Sequence, residues 1–127
     1  MAKTTVLVVD DVPELARLLQ ITVELDGRFE CVGAASTTTE AVDLAAHLQP
    51  HTIVLDLSMD GDDALAALRL LRNVAPEARI VVFTGRDDRN LRDEALASGA
   101  SAWLLKGDDL DALLRTLANE IAISEPS

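Results

Sequence analysis

The chain has 127 residues, of which 49% are hydrophobic, so we expect residues 1–127 to fold as a single domain around one core. A formal net charge of −11 argues against direct binding to nucleic acid or to an anionic membrane surface. The sequence has no apolar run of the roughly 18 residues that a membrane span needs, and its single cysteine cannot form an internal disulfide, which together predict a cytoplasmic location.

Five short apolar runs rich in β-branched residues predict strands, and segments with helical periodicity separate them. The predicted strands are Thr5–Val9, Phe29–Ala34, Thr52–Leu55, Arg79–Thr84 and Ala102–Leu105. The helical patterns cover Leu15–Val23, Thr38–Leu48, Ala64–Ala75, Asp88–Ser98 and Leu110–Ile121. This strict alternation of strand and helix predicts an α/β fold in which a five-stranded parallel sheet is covered by helices on both faces, the doubly wound (βα)5 arrangement.

Side chains that can accept hydrogen bonds precede three of the predicted helices. Asp11 stands before the first helix and Asp108 before the fifth. Thr37 stands before the second helix, with Glu40 three residues later at the spacing of a capping box. We expect these residues to cap the first turns of their helices.

Polar residues lie directly at the ends of four predicted strands. Asp10 and Asp11 follow the first strand, Asp56 follows the third, Thr84 closes the fourth and Lys106 follows the fifth. Taken singly, such residues have ordinary roles as helix caps, strand formers or solvated charges. In an open parallel sheet, however, the functional crevice lies at the carboxyl ends of the strands. The sequence therefore predicts that these side chains meet at one edge.

Three carboxylates at one edge repel each other, and a divalent cation relieves that repulsion. Mg²⁺ prefers hard oxygen ligands and combines a few carboxylates with waters and a phosphate group. The hydroxyl of Thr84 and the ammonium of Lys106 could then contact the remaining phosphoryl oxygens. In that arrangement the carboxylate of Asp56 is the nucleophile, and it forms an aspartyl phosphate.

Four segments in this order and spacing resemble the receiver domain of two-component response regulators. They are "VLVVDDVPE", "IVLDLSM", "IVVFTG" and "AWLLKG", and the resemblance covers about residues 4–122. It implies the flavodoxin-like fold of the chemotaxis response regulator. It also implies that residues 1–127 form one receiver domain.

The resemblance assigns a role to each residue at the acidic edge. Asp56 is implied to be the phosphoacceptor. Asp11 is implied to be a direct Mg²⁺ ligand, Asp10 to act beside it through water, and the backbone carbonyl of Ser58 to be the third protein ligand.

Three further residues are implied to respond to the phosphoryl group. Lys106 pairs with that group, and Thr84 is the switch hydroxyl that turns toward it. Trp103 occupies the position of the switch aromatic, where the family usually has Tyr or Phe. Their movement is expected to remodel the face formed by the fourth helix, the fifth strand and the fifth helix.

The resemblance also implies partners. A sensor histidine kinase or a phosphotransfer protein is expected to donate the phosphoryl group, and an output domain or a downstream protein is expected to receive the signal. A phosphorylation-dependent dimer is compatible with this role. The chain is expected to be a regulatory phosphoacceptor, which catalyses only its own phosphoryl uptake and loss, and not an enzyme with a separate substrate.

Three positions depart from the family pattern. Asp60 and Ala64 replace the usual Pro and Gly after the phosphoacceptor, and Gly107 replaces the Pro that often follows the lysine. These changes keep open the alternative of a pseudo-receiver, an interaction module of the same fold that is not phosphorylated in use. An aspartyl phosphatase is disfavoured because Ser58 stands where those enzymes carry a second Asp. A nucleotide site is disfavoured because no Gly-rich loop follows the first strand.

The acidic loop after Asp56 has two interpretations. Its residues Asp60, Asp62 and Asp63 could cap the third helix at its positive end, which is the favoured interpretation. Alternatively, their charges could repel small anionic phosphoryl donors and so reserve Asp56 for a protein donor.

Overall fold

A computed structural model describes residues 3–57, 64–107 and 110–124 of the chain. The strands are β1 (Thr4–Val9), β2 (Phe29–Ala35), β3 (Thr52–Leu55), β4 (Arg79–Thr84) and β5 (Ala102–Leu105). The helices are α1 (Pro13–Asp26), α2 (Thr38–Leu48), α3 (Ala64–Val74), α4 (Arg89–Ala97) and α5 (Leu110–Ser124). Three of the five predicted strands match at both ends, and the other two differ by one residue at one end.

All the strand pairs are parallel, in the order β2-β1-β3-β4-β5. The edge strands of the sheet are therefore β2 and β5, and β1 lies between β2 and β3. This order confirms the predicted doubly wound α/β fold. It places the ends of β1, β3 and β4 side by side in the middle of the carboxyl edge, where the polar residues follow.

The core has two layers, one on each face of the sheet, because successive side chains of a strand point to opposite faces. Leu7 and Val9 of β1 belong to one buried cluster, whose helical residues come from α2, α3 and α4. Val6 and Val8 belong to the other, whose helical residues come from α1 and α5. Four consecutive buried positions in β1 thus explain its continuous apolar run, as predicted for a strand covered on both sides.

The α1 helix begins differently from the prediction. Asp11 is exposed and does not cap the helix; the N-cap is Val12, which makes no side-chain capping bond. Instead, Oδ1 of Asp10 accepts a hydrogen bond from the backbone N–H of Val12 at 2.9 Å. Pro13 at the helix start needs no such partner, because proline lacks an N–H. The prediction that Asp11 caps α1 was therefore wrong, and its neighbour stabilises the turn.

The α2 helix begins as predicted. Thr37 Oγ1 accepts a hydrogen bond from the backbone N–H of Glu40 at 3.2 Å. The carboxylate of Glu40 in turn accepts from the backbone N–H of Ser36 at 2.7 Å, one residue earlier than in a standard capping box. These two bonds fix the chain between β2 and α2, next to the carboxyl edge of the sheet.

Arg72 of α3 fixes the far end of α4. Its guanidinium donates hydrogen bonds to the carbonyl oxygens of Pro76, Ala78 and Gly99 at 2.7–2.9 Å. Gly99 follows α4 and has a φ of +113°, a conformation that favours glycine. The end of α4 is thereby tied to α3 and to the start of β4.

Candidate functional site

The backbone places the predicted site residues at one edge of the sheet. The backbone N–H of Asp56 donates to the carbonyl of Val9 at 3.0 Å, so Asp56 continues the ladder between β3 and β1. The backbone N–H of Lys106 donates to the carbonyl of Thr84 at 2.8 Å and continues the ladder between β5 and β4. The side chains of Asp56 and Lys106 therefore extend from backbone that is hydrogen-bonded to the adjacent strand, which fixes their register.

Three carboxylates converge there as the sequence predicted. Asp10 and Asp56 are 2% and 3% exposed, whereas Asp11 is exposed. One oxygen from each of the three lies within 4.8 Å of the others. Buried like charges at such distances are unfavourable without a positive partner. Hard oxygen donors in this number and spacing fit Mg²⁺ or a similar divalent cation, with Asp11 on the solvent side.

The ammonium of Lys106 bridges the two buried carboxylates. Its Nζ lies 2.9 Å from Oδ2 of Asp10 and 3.0 Å from Oδ2 of Asp56, and the side chain is only 20% exposed. Burial lowers the pKa of the lysine, but its hydrogen bonds with Asp10 and Asp56 and their negative charges outweigh that effect, so the pKa is raised. Lys106 therefore stays charged and offsets part of the negative charge of the site.

The contact between Lys106 and Asp10 was not predicted from the sequence. The resemblance assigned Lys106 to the phosphoryl group alone. The strands that precede these residues, β5 and β1, are not neighbours in the sheet, so the lysine must reach across the ends of β4 and β3. The available signal was the length of the lysine side chain, which is useful only once the strand order is known.

Thr84 ends β4 with its side chain fully buried. Its Oγ1 accepts a hydrogen bond from the backbone N–H of Arg86 at 3.3 Å, so the hydroxyl oxygen is joined to the loop that leads into α4. Trp103 lies on β5, half-buried, and packs against the core layer that contains α4. A small cleft of about 270 Å³ lies beside it, between β5 and the start of α4. The two predicted switch residues thus flank the same loop and helix.

Several predicted positions lie outside the described residues. They are Ser58, whose carbonyl is the expected third metal ligand, the acidic loop residues Asp60, Asp62 and Asp63, and the expected cap Asp108. Their predictions stay predictions. Within the described ranges, no helix has the length and apolar character that a membrane crossing would require.

The chain belongs to a known family. The family model for the response regulator receiver domain matches residues 6–118, which is most of the sequence. The chain accordingly belongs to the receiver domains of the two-component response regulators, which are regulatory modules.

The curated relatives that the chain resembles include nitrate/nitrite response regulators. The chain is 36% identical over 127 residues to a nitrate/nitrite response regulator protein homolog of Haemophilus influenzae, covering 97% of this chain and 61% of the relative. It is 34% identical over 125 residues to the nitrate/nitrite response regulator protein NarL of Escherichia coli K12, covering 95% and 58%. The chain therefore spans about three-fifths of the length of these relatives.

Solved structures agree on the fold. A LuxR-family two-component response regulator from Aurantimonas sp. has a TM-score of 0.88 and 26% identity, with 95% of this chain and 86% of that one covered. The signal receiver domain of the response regulator NarL from Mycobacterium tuberculosis also gives a TM-score of 0.88, with 98% and 100% covered. Its identity is 24%, so this second likeness bears on the fold alone.

Proposed function

We propose that the domain accepts a phosphoryl group on Asp56 and passes the signal on through a change at the α4–β5–α5 face. The observation that supports this most directly is the placement of Asp56. It is almost fully buried at the carboxyl edge of the sheet, with Asp10 and Asp11 within 4.8 Å and the ammonium of Lys106 at 3.0 Å. A residue that only capped a helix would have no need of such neighbours.

In the proposed reaction a carboxylate oxygen of Asp56 attacks the phosphorus atom of a phosphohistidine. The new O–P bond forms as the N–P bond breaks, and the histidine nitrogen keeps the electron pair of the broken bond. The donor is a sensor histidine kinase or a phosphotransfer protein. Hydrolysis of the acyl phosphate by water later regenerates the carboxylate, so that the domain catalyses both its own phosphorylation and its own reset.

The protein side chains supply position and charge in this reaction. Asp10, Asp11, Asp56 and the carbonyl of Ser58 are the proposed holders of Mg²⁺, which when bound offsets the negative charge of the carboxylates and the phosphoryl oxygens. Lys106 exchanges its contact with Oδ2 of Asp56 for the phosphoryl oxygens. Because the ammonium already lies at 3.0 Å, this exchange needs only a small movement.

The proposed switch begins at Thr84. Turning its hydroxyl toward the phosphoryl group breaks the hydrogen bond with the N–H of Arg86, and this frees the loop before α4 to move. Trp103 then changes its packing against α4. Addition of beryllium fluoride with Mg²⁺ is expected to shift the fluorescence of Trp103, the single tryptophan, and the shift should be absent in Thr84→Ala. An unchanged spectrum in phosphorylated wild type would exclude the tryptophan from the switch.

The proposal extends to the setting of the domain. In this proposal residues 1–127 form one receiver domain. Its proposed location is the cytoplasm, as expected from the sequence. Since the chain covers about three-fifths of its curated relatives, an output domain or a separate downstream protein is the proposed recipient of the signal. The pseudo-receiver alternative is not favoured, because Asp10, Asp11, Asp56 and Lys106 are together at one edge.

Intact-mass measurement tests the proposed reaction. Incubation with acetyl phosphate and Mg²⁺ is expected to add one phosphoryl group to the wild-type chain and none to Asp56→Asn. Chelation of divalent cations with EDTA should stop the uptake. Equal labelling of the Asn variant would exclude Asp56 as the acceptor, and a wild-type chain that stays unlabelled with either a small donor or a phosphorylated histidine protein would favour the pseudo-receiver.

A further inference from the structure

The side chain of His51 joins the starts of β1 and β3 at the amino edge of the sheet, the edge opposite to the acidic site. The backbone N–H of Thr5 donates to Nδ1 of His51 at 2.9 Å, and the backbone N–H of His51 donates to Oγ1 of Thr5 at 3.0 Å. We call this reciprocal pair the clasp. It lies one step before the first residues that pair between the two strands. The clasp therefore closes a strand pair whose other end leads into Asp10 and Asp56.

The clasp requires an uncharged imidazole. A backbone N–H can only donate, so Nδ1 of His51 must accept, and the neutral ring carries its hydrogen on Nε2. Protonation places a hydrogen on Nδ1, which removes the acceptor and sets two donors against each other. The protonated ring can still donate to Oγ1 of Thr5, which lies 3.1 Å from Nδ1, but the backbone N–H of Thr5 cannot reverse its direction. Because a backbone donor without a partner is unfavourable, protonation weakens the clasp.

The other histidine of the chain provides a contrast. Nδ1 of His47 lies 2.9 Å from the carbonyl oxygen of Asp43, which can only accept, so this nitrogen already carries a hydrogen. Protonation of His47 adds a hydrogen to Nε2 and leaves that bond intact. Of the two histidines in the sequence, His51 is thus the one whose hydrogen bond is lost when the ring gains a proton.

The charges around the clasp are mixed. The other charged and titratable groups on the elements that meet at this edge are Lys3, Arg28, Glu30, His47, Glu77 and Arg79. Arg28 is paired with Asp26 at 2.6 Å, which leaves two ordinary charges of each sign. Glu77 and Arg79, one of each sign, line the same cleft of about 310 Å³ as His51. The bond with the N–H of Thr5, and not a dominant charge, therefore sets the direction of the effect.

We propose that the clasp is a pH-sensitive fastening, in which protonation of His51 releases the start of β1 from the start of β3 in mildly acidic solution. Histidine changes its charge in this range, whereas aspartate and glutamate ordinarily do not. His51 is exposed, so the ring exchanges its proton with solvent, and water replaces part of the lost bond. The clasp adds stability at neutral and higher pH, and this stability is lost as the pH falls. The proposal does not depend on phosphorylation of Asp56.

Urea unfolding of the full chain at about pH 7.5 and about pH 5.5 measures the clasp. His51→Asn is the key variant, because Oδ1 of asparagine can accept in place of Nδ1 but does not gain a proton. On acidification, the unfolding equilibrium constant of wild type should rise roughly two- to tenfold more than that of His51→Asn, the range for one net hydrogen bond. His47→Gln is the matched control, and it should keep the whole acid effect of wild type.

Nuclear magnetic resonance locates the effect without a variant. At neutral pH the nitrogen shifts of the His51 ring should be those of the Nε2–H tautomer. As the ring gains its proton, the amide signal of Thr5 should move and its protection from hydrogen exchange should fall. The amide of Val8, in the middle of β1, should keep its protection, because the rest of the strand stays paired.

Two results would overturn the proposal. An acid effect of equal size in wild type and His51→Asn would show that other groups cause the loss of stability. A Thr5 amide that keeps its signal position and its protection while the His51 ring gains a proton would show that the fastening does not depend on the charge of the ring.

Discussion

Replacement of Lys106 by methionine tests whether one ammonium holds the acidic edge together. Methionine keeps an unbranched side chain of similar reach but removes the positive charge, which leaves Asp10 and Asp56 buried beside each other. In the wild-type chain, an oxygen of each carboxylate lies 2.9–3.0 Å from Nζ of Lys106. At 3 Å and an effective dielectric of 20, one such pair has a gross Coulomb energy of about 5.5 kcal/mol, before the cost of desolvation is subtracted.

The net loss of stability is smaller than that gross energy. Removing one partner of a buried ion pair typically costs about 3–5 kcal/mol, because the other charge stays buried without compensation. Lys106 is 20% exposed, which allows water to screen the remaining carboxylates in part. We therefore expect Lys106→Met to lower the free energy of unfolding by about 3 kcal/mol at neutral pH in EDTA.

Urea unfolding followed by far-ultraviolet circular dichroism measures this loss. Lys3→Met is the matched control, because Lys3 is exposed and is the only other lysine, and its change should be small. Mg²⁺ should stabilise Lys106→Met more than wild type. A cation that binds the folded but not the unfolded state raises the free energy of unfolding, and in the variant it relieves more repulsion between the carboxylates. If Lys106→Met and wild type unfold at the same urea concentration in EDTA, the reasoning about charge compensation at this edge is wrong.

Two further predictions concern the frame around the site. Gly99→Ala should cost about 1–2 kcal/mol of stability in urea unfolding, because Gly99 has a φ of +113° and an added Cβ would lie 3.0 Å from Nε of Arg72; Gly85→Ala, where an added Cβ meets nothing within 4 Å, should be close to neutral. Hydrogen bonds from Arg28 to the carboxylate of Asp26, at 2.6 and 2.8 Å, lower the pKa of that carboxyl group. The pair therefore stabilises the fold at pH values above the ordinary pKa of 3.8, and this stabilisation is lost as the pH falls through the lowered pKa. The difference in free energy of unfolding between wild type and Asp26→Asn should accordingly shrink on acidification. A difference that does not depend on pH would contradict this.

Strands were predictable from the sequence because a parallel sheet buried on both faces demands a continuous apolar run. Thr52–Leu55 and Arg79–Thr84 match the prediction at both ends for that reason. Ala102–Leu105 also matches at both ends, although its residues at the edge of the sheet are only half-buried. The edge that carries the site was also predictable, since the polar residues follow the strands. The apolar pattern alone did not predict the strand order, because local sequence sets which segments are strands but not which of them pair; the order followed only from the flavodoxin-like fold that the resemblance implied.

Helix orientation was harder to predict than helix position. The apolar periodicity of α1 groups Leu15, Leu18 and Leu19 in one stripe, but Leu18 is 47% exposed whereas Leu19 is buried. The helix is rotated so that the small side chain of Ala16 faces the sheet. Alanine allows close approach of a helix, and a pattern that counts only large apolar residues does not register it. The rotation is what leaves Leu18 on the surface.

The capping of α1 shows a second limit. Two adjacent aspartates, Asp10 and Asp11, precede α1, and the sequence analysis assigned the capping role to Asp11 alone. Asp10 is buried with one oxygen bonded to the N–H of Val12 and the other to Lys106, so it serves the turn and the site together. Asp11 is left exposed and available to a cation.

Chemical mapping of the phosphorylated residue tests the central proposal most directly. The chain is incubated with acetyl phosphate and Mg²⁺ and then treated with borohydride, which reduces an aspartyl phosphate to homoserine. Peptide fragmentation by mass spectrometry then locates the changed residue. Our account predicts homoserine at position 56 alone, and none when Mg²⁺ is withheld. Homoserine at Asp10 or Asp11, or a phosphoryl group that borohydride does not remove, would contradict the assignment of Asp56 as the phosphoacceptor.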